Sequence, residues 1–257
     1  MNKNRFIESL KYFTVLFHMK TNYFKYFKAL FLYKLKHKVE FPEAIIKLHS
    51  VKFQTRKNSM DIAHLSNFYE RDTTNLLLNL NPKVFVDVGA HIGRFSVLLT
   101  NENSKVISIE PSKSNYDQLN KNVKLNNLGN KIETVNVACY NKNENKTIYF
   151  SLKNEGQTSF KKTENSRKEI VKVKKLDKIC ENLNLKPEDV DIIKIDVEGF
   201  ELKVLKGALN ILKKGHPLLI IEITDKENKK SIKAFLKKFG FLNKEILDSR
   251  NFIFVKS

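Results

Sequence analysis

No stretch of this 257-residue chain approaches the run of about 18 apolar residues that a membrane-spanning helix needs, so no transmembrane helix is expected. The first residues lack a compact apolar core followed by a small-residue cleavage site, which argues against a signal peptide. Cysteine is scarce: Cys139 and Cys180 stand alone, without CxxC or Cys/His metal spacing. Two isolated thiols make neither a disulfide framework nor a zinc site; they fit a reducing compartment, and the expected location is cytoplasmic. Acidic residues are outnumbered, 28 against 47 Lys and Arg, for a formal net charge of +19. That balance suits a polyanion such as RNA, or an anionic membrane surface. Lysine, asparagine and isoleucine dominate together, however, as AT-rich coding would produce, so the charge is discounted as evidence for nucleic acid. Two further absences count against chemistry on RNA: there is no N/D-P-P-Y/F motif for base amino groups, and no Cys placed at a strand end to attack a pyrimidine.

What is present supports a folded enzyme-sized unit. A hydrophobic content of 41% is enough for a genuine core, and the length suits one sizeable α/β domain with additions or two small domains. Residues 1–45 form a basic extension, in which Phe6, Leu10, Phe13 and Phe17, then Phe24, Phe27, Phe31 and Leu35, recur at helical spacing. Two basic amphipathic helices are predicted, either packing their aromatic faces on the main domain or forming a platform on a partner or peripherally at the inner membrane face. The remainder, 46–257, reads as the main domain. A short strand lies in 49–56 and a further helix in 59–80. From residue 83 the pattern alternates as βαβ units do, with near-continuous apolar strands at 84–88, 106–109, 191–197 and 217–223. A helix is predicted over 200–212, and an antiparallel pair closes the sheet. Two period-2 segments within 146–175 interrupt the alternation and read as an inserted β-hairpin. The expected fold is α/β, with a mostly parallel seven-stranded sheet, and ligands should gather at the carboxyl ends of its strands.

The turn "VFVDVGAHIGRF" (84–95) carries Gly89 and Gly93 but not the G-x-G-x-x-G of a dinucleotide site. His91 stands where the second glycine of that fingerprint would be, and Asp87 precedes the turn. A carboxylate there repels phosphate and suits an ammonium. S-adenosylmethionine (SAM) has an ammonium, a sulfonium and a ribose diol, and no phosphate. Gly89 lets the backbone approach such a ligand, and Gly93 lets the next helix pack closely. Glu110, ending the second strand, is placed to accept hydrogen bonds from the ribose hydroxyls. Ala90, His91 and Pro111 complete the expected cofactor contacts.

A second acidic group closes the set. Asp196 and Glu198 are two apart at the end of an extended strand and should emerge on one side; Glu201 follows in the next helix and Glu222 ends the neighbouring strand. Asp196 or Glu198 is the candidate general base, with Glu222 and Glu201 orienting acceptor or loop, though a carboxylate such as Glu201 also favours a helix N-terminus for its own sake. Gln157, Thr158 and Ser159, at the hairpin tip, are candidates to border the acceptor. Clustered carboxylates suit Mg²⁺ or Ca²⁺, but no strong ligand spacing appears and no metal is expected to be required.

The stretches "VFVDVGAHIGRFS", "VISIEPSKSNYDQLNKNV", "DIIKIDVEGFELKVLKGA" and "LLIIEI" resemble the FkbM-type SAM-dependent methyltransferase family over residues 50–223 or so, with K-I-D-V-E-G-x-E as the most specific part. Arg56 and Asp61 match the family's segment before the SAM domain. The resemblance implies a Rossmann-like class I methyltransferase fold, Asp87, Gly89 and Glu110 as SAM contacts, and methylation of hydroxyls on sugars and related natural products. Two places depart from the family pattern: His91 replaces its usual Asn, and "ACYNKNENK" replaces its Ala-Leu-Ser-Asp stretch. The acceptor is then expected to be a small molecule or a glycan. An RNA methyltransferase is the second reading and a non-enzymatic binding module the third.

Overall fold

The computed structural model describes residues 28–31, 39–151, 158–159 and 166–257. Of the N-terminal extension it describes one helical turn at 28–31, where Ala29 and Leu30 are buried in the same core as Phe41 and Phe53 while Phe31 is 62% exposed. The packed face at this turn is therefore that of Ala29 and Leu30, not the aromatic stripe to which Phe31 belongs. The rest of the two predicted amphipathic helices lies outside the described residues.

The next elements are an antiparallel hairpin of β1 (Ile45–Leu48) and β2 (Val51–Gln54), of which the sequence had suggested only the second strand. A short helix α1 (Asp61–His64) and the longer α2 (Arg71–Leu80) follow. The βαβ alternation then appears as read: β3 (Val84–Val88), α3 (Arg94–Leu98), β4 (Lys105–Ile109), α4 (Lys113–Leu125) and β5 (Ile132–Val135). The inserted hairpin is the antiparallel pair β7 (Glu144–Ser151) and β9 (Ser166–Lys174), widened to a four-stranded sheet by β6 (Ala138–Cys139) and β8 (Thr158–Ser159). After α5 (Leu176–Asn182) come β10 (Ile192–Ile195), α6 (Glu201–Lys206), α7 (Leu209–Lys214), β11 (Leu218–Glu222), α8 (Lys226–Lys237) and the closing antiparallel pair β12 (Phe241–Leu247) and β13 (Asn251–Lys256).

The helix predicted over 200–212 is two helices. At Gly207 the chain passes so close to the Tyr140 carbonyl that a side chain there would collide with it. Asp177 then accepts the backbone N–H groups of Asn210 and Ile211, which restarts a helix with its own cap.

The seven-stranded sheet has the order β12-β13-β11-β10-β3-β4-β5, parallel from β11 through β5. Strand order reverses between β3 and β10, so the crevice at the carboxyl ends of those two strands is the switch point where such sheets bind ligands. The two faces differ. One, with Val86, Val88, Ile193, Ile195, Leu219 and Ile221, is wholly apolar and covered by α5 to α8. The other starts apolar with Phe85, Val106 and Ile192 but turns polar toward the carboxyl ends, with Asp87, Lys194 and Ser108 at neighbouring register positions. That polar end is roofed by the chain from 56 to 80.

Helix α4 ties the roof to the sheet. Its buried positions 115, 118, 119, 122 and 123 form one helical face, and three of them carry amides. Gln118 donates to the Gln54 carbonyl and Asn122 to that of Ile92, while Asn122 also accepts from the Gln54 N–H at 2.8 Å. Arg56 and Asp61 form a bidentate ion pair, and Arg56 reaches Ser114 at 2.8 Å. Cys139 and Cys180 are free and buried, with both thiols pushed up by burial, Cys180 to about 12, which makes them poor nucleophiles.

Candidate active site

The turn after β3 is shaped by left-handed backbone at Gly89 (φ +88°), His91 (φ 52°) and Gly93 (φ +85°). A Cβ on Gly89 would run into the carbonyl oxygen of Asp196, and one on Gly93 into the Leu119 side chain on α4. Both glycines are therefore required by close approach as well as by conformation. The N–H groups of Gly89 and Ala90 donate to the Ile109 carbonyl at 2.9 and 3.0 Å, which anchors the turn to β4. Glu110 completes the anchor: its Oε2 accepts from the His91 N–H at 2.9 Å, and its Oε1 from the Ser112 N–H at 2.9 Å and the Asn115 amide at 3.3 Å. Burial pushes this carboxyl up to about 7 against those donors. The residue read as a ribose acceptor is thus also the brace of the turn, with lone-pair capacity left on Oε2. His91 packs edge-on against His64, with ring centroids 4.7 Å apart, and burial pulls its imidazole down to about 3. It is a neutral contact and too weak a base to take a proton.

Asp87 is 2% exposed and accepts from the Ser96 hydroxyl at 2.6 Å, which in turn accepts from Ser108 at 2.7 Å. Burial pushes Asp87 up to about 6 even with Lys194 at the neighbouring strand position. Lys194 is the residue that sequence reasoning missed. Its ammonium is 3.1 Å from Asp196 Oδ2 and 3.5 Å from Glu70 Oε2, above the Phe95 ring. Burial pulls its pKa down, but Asp196, Glu70 and Asp87 outweigh that, raise it above the ordinary lysine value and hold it charged. The signal was present in "IIKI": a lysine inside a strand buried on both faces demands carboxylate partners.

Asp196 and Glu222 divide one proton between them. Burial would raise Asp196, yet the adjacent Lys194 ammonium and a hydrogen bond from Glu222 bring it below its ordinary value. Burial and the Asp196 charge push Glu222 up to about 9, so it stays protonated and donates to Asp196. Arg250 Nε lies 3.0 Å from the other Glu222 oxygen. Carboxyl oxygens of Glu70, Asp196 and Glu222 lie within 4.8 Å of one another. Three such groups could hold a hard divalent cation; here the Lys194 ammonium sits against two of them and supplies positive charge from the chain itself.

Three expectations need correction. Strand β10 stops at Ile195, and the backbone turns left-handed at Glu198 (φ 51°) and Gly199 (φ +95°). Glu198 therefore does not emerge beside Asp196 by strand alternation; it is exposed at the cavity rim, its carboxyl pushed up to about 7 by partial desolvation and then by Asp196. Glu201 is buried, and its carboxylate accepts from the Gly199 N–H at 2.7 Å and from Asn228 at 2.5 Å, so it closes the turn instead of facing an acceptor. Glu222 is not part of the cavity lining; it sits against Asp196 and Arg250. Thr158 and Ser159 form the short strand β8 against β7, and Gln157 lies outside the described residues.

Asp87, Gly89, Glu110, Glu70, Lys194, Asp196 and Glu198 meet in one cavity of about 1060 Å³, open mouth included. One wall is the Gly89–Arg94 turn with Glu110 and Pro111, a second is Val137–Tyr140, and a third is Lys194 and Asp196–Glu198 with Phe200; His64, Tyr69 and Glu70 cover it from the roof. The residues fit SAM: the glycine turn lies on the cavity wall, the carboxyl groups of Asp87 and Glu110 flank it, and the turn lacks the third glycine of a pyrophosphate site.

Fold and site together define a SAM-dependent methyltransferase domain. Residues 87–252 match the family described as the methyltransferase FkbM domain, and the chain belongs to that family. It is 27% identical over 158 residues to the methyltransferase sdnD of Sordaria araneosa, a match that spans 50% of this chain and 61% of that protein. Among solved structures it is similar to a methyltransferase FkbM from Methylobacillus flagellatus KT, at 19% identity and a TM-score of 0.45, covering 68% of this chain and 43% of that one. It is also similar to an O-methyltransferase from Bacillus cereus in complex with SAH, at 14% identity and a TM-score of 0.46, covering 75% and 82%. Among the described residues no helix is long and apolar enough to cross a membrane.

Proposed function

We propose that this protein transfers the methyl group of SAM to a hydroxyl of a sugar, glycan or related metabolite. The observation that carries this reading is Asp196, a carboxylate kept ionised by an ammonium 3.1 Å away, on the same cavity as the Gly89 turn. Asp87, Gly89, Ala90, His91, Gly93, Glu110 and Pro111 would hold SAM, which when bound supplies an already activated methyl group. What the chain must add is alignment and a place for the acceptor proton. Alignment of this kind is worth up to about 7–11 kcal/mol in favourable cases, and a positioned base on the order of 10²–10⁴ in rate. Asp196 takes the hydroxyl proton, Lys194 holds Asp196 ready, and protonated Glu222 fixes its orientation from behind. Glu198 at the rim is the second candidate base. Thr158, Ser159 and Gln157 would border a larger acceptor, and residues 1–40 would bring a lipid-linked one to an anionic membrane surface.

The test is methyl-transfer profiling with labelled SAM against glycan, lipid-linked and RNA fractions of the source cell, with SAM binding followed by calorimetry. Label in the glycan or lipid-linked fraction supports the reading. Label in RNA, with an affinity that falls steeply with salt, would transfer it to the second reading, which the +19 charge motivates. Absence of SAM binding would end both.

A further inference from the structure

Glu70 stands at the N-terminal cap position of α2, in a left-handed conformation (φ 41°, ψ 52°) that a residue with a side chain adopts under constraint. The constraint is visible: Arg94 donates to the carbonyl of Tyr69 at 3.0 Å and to the hydroxyl of Thr74 at 2.8 Å, clamping the chain on both sides of Glu70. A side chain at this position ordinarily accepts the first free N–H groups of its helix. Here Asp248, from the turn between β12 and β13, does so instead, accepting from the Asp72 N–H at 3.1 Å and the Thr73 N–H at 2.9 Å. Glu70 is thereby released from capping and turned into the cavity, beside Asp196 and Glu222.

Its carboxylate is 1% exposed and neither oxygen receives a hydrogen bond. Lys194 balances its charge from 3.5 Å but gives its hydrogen bond to Asp196. A buried carboxylate with unused lone pairs is costly unless a ligand brings donors. A carboxylate can only accept, so that ligand must offer O–H or N–H groups. The ammonium of Lys194 repels a second cation at this point, which favours a neutral hydroxyl over an amine. Oxygens of Glu70 and Asp196 lie within 4.8 Å of each other, a spacing that two neighbouring hydroxyls of one polyol can span.

We propose that Glu70 is an acceptor-recognition residue: it accepts a hydrogen bond from the hydroxyl next to the one methylated, and so selects acceptors with vicinal hydroxyls. This rests on the hydroxyl-methylation reading above. The experiment uses the full chain, labelled SAM, and methyl α-glycosides of glucose, mannose and rhamnose with their monodeoxy counterparts, and propanol as the lone-hydroxyl control. On a glycoside that is methylated, Glu70→Gln is expected to cost roughly ten- to hundredfold in kcat/KM, carried mainly by KM. The counterpart lacking the neighbouring hydroxyl should cost the wild type about as much and cost E70Q nothing further. Losses that multiply, a wild-type KM in E70Q, or equal methylation of propanol would overturn the assignment. If E70Q does not fold, the deoxy series on the wild type decides alone: an unchanged KM refutes the proposal. SAM binding without methylation of any glycoside refutes the vicinal-hydroxyl class, whereas absent SAM binding sinks the underlying reading instead.

Discussion

Gly89 and Asp196 are pressed together so closely that a single added methyl on the first would occupy the carbonyl oxygen of the second. The turn expected to hold the methyl donor and the strand end that carries the proposed base are thus one rigid unit. Gly89→Ala must back away from Asp196 and also hold Ala at a φ near +88°. The expected cost is about 1–3 kcal/mol of stability from the backbone alone, with loss of SAM affinity. Melting curves and calorimetry check this; wild-type SAM affinity in the variant would remove the turn from the cofactor site.

Asp196→Asn should lose about 10²–10⁴ in turnover while still binding SAM. The pH profile separates the two candidate bases. Asp196 is held below its ordinary value, so a reaction that depends on it keeps its rate as pH falls toward about 5. Glu198 titrates near 7, so a reaction that depends on it would slow about tenfold per unit below that point. An acid limb near 7 that disappears in Glu198→Gln would move the base to Glu198.

Glu222 ordinarily ionises at 4.5 and in the fold at about 9. The native state therefore keeps a proton that the unfolded chain has already released across that window. Stability from this group is greatest below about 4.5 and falls as pH rises toward about 9. Glu222→Gln is neutral throughout and should flatten that slope in melts taken across the range. A slope unchanged in the variant would show that Glu222 does not hold the proton.

Lys194→Met removes the only ammonium facing Asp196 and Glu70 among the described ion pairs. Breaking a buried pair in this way costs about 3–5 kcal/mol. Asp196 should then rise toward ordinary or higher values, moving the acid limb of the rate profile upward. Urea unfolding gives the first quantity and the pH profile the second.

Asp61 lies below the ordinary 3.8: burial would raise it, but the Arg56 guanidinium more than compensates. Its contribution is present above about 3.8 and is lost as pH falls through the lower native value. Asp61→Asn should therefore destabilise by about 1.5–3 kcal/mol at neutral pH, and the gap to wild type should close in strong acid. A gap that persists at low pH would make the effect one of packing.

The sheet was legible because buried parallel strands write themselves as apolar runs, and Asp87, Gly89, Gly93 and Glu110 were legible because turn chemistry is local in sequence. Glu70 was not, since nothing in "YERD" tells that Asp248 will cap the helix and release the glutamate. Glu198 misled because strand alternation was carried beyond the strand's end at Ile195 and into a left-handed turn. Glu201 and Glu222 were found as acids but not placed: one is closed off by Asn228, the other by Arg250, both distant in sequence. Gly207 read as an ordinary helical residue because the Tyr140 carbonyl it touches belongs to another element.

The cap that Asp248 provides has a consequence for how the protein is made. It lies 176 residues after Asp72, so a chain emerging from the ribosome holds the Gly89 turn and Glu110 long before the helix carrying Glu70 has its cap. The helix that carries Glu70 is therefore capped only once the β12–β13 hairpin has been made. A chain cut short of that hairpin would lack both the cap and the two strands that close the sheet.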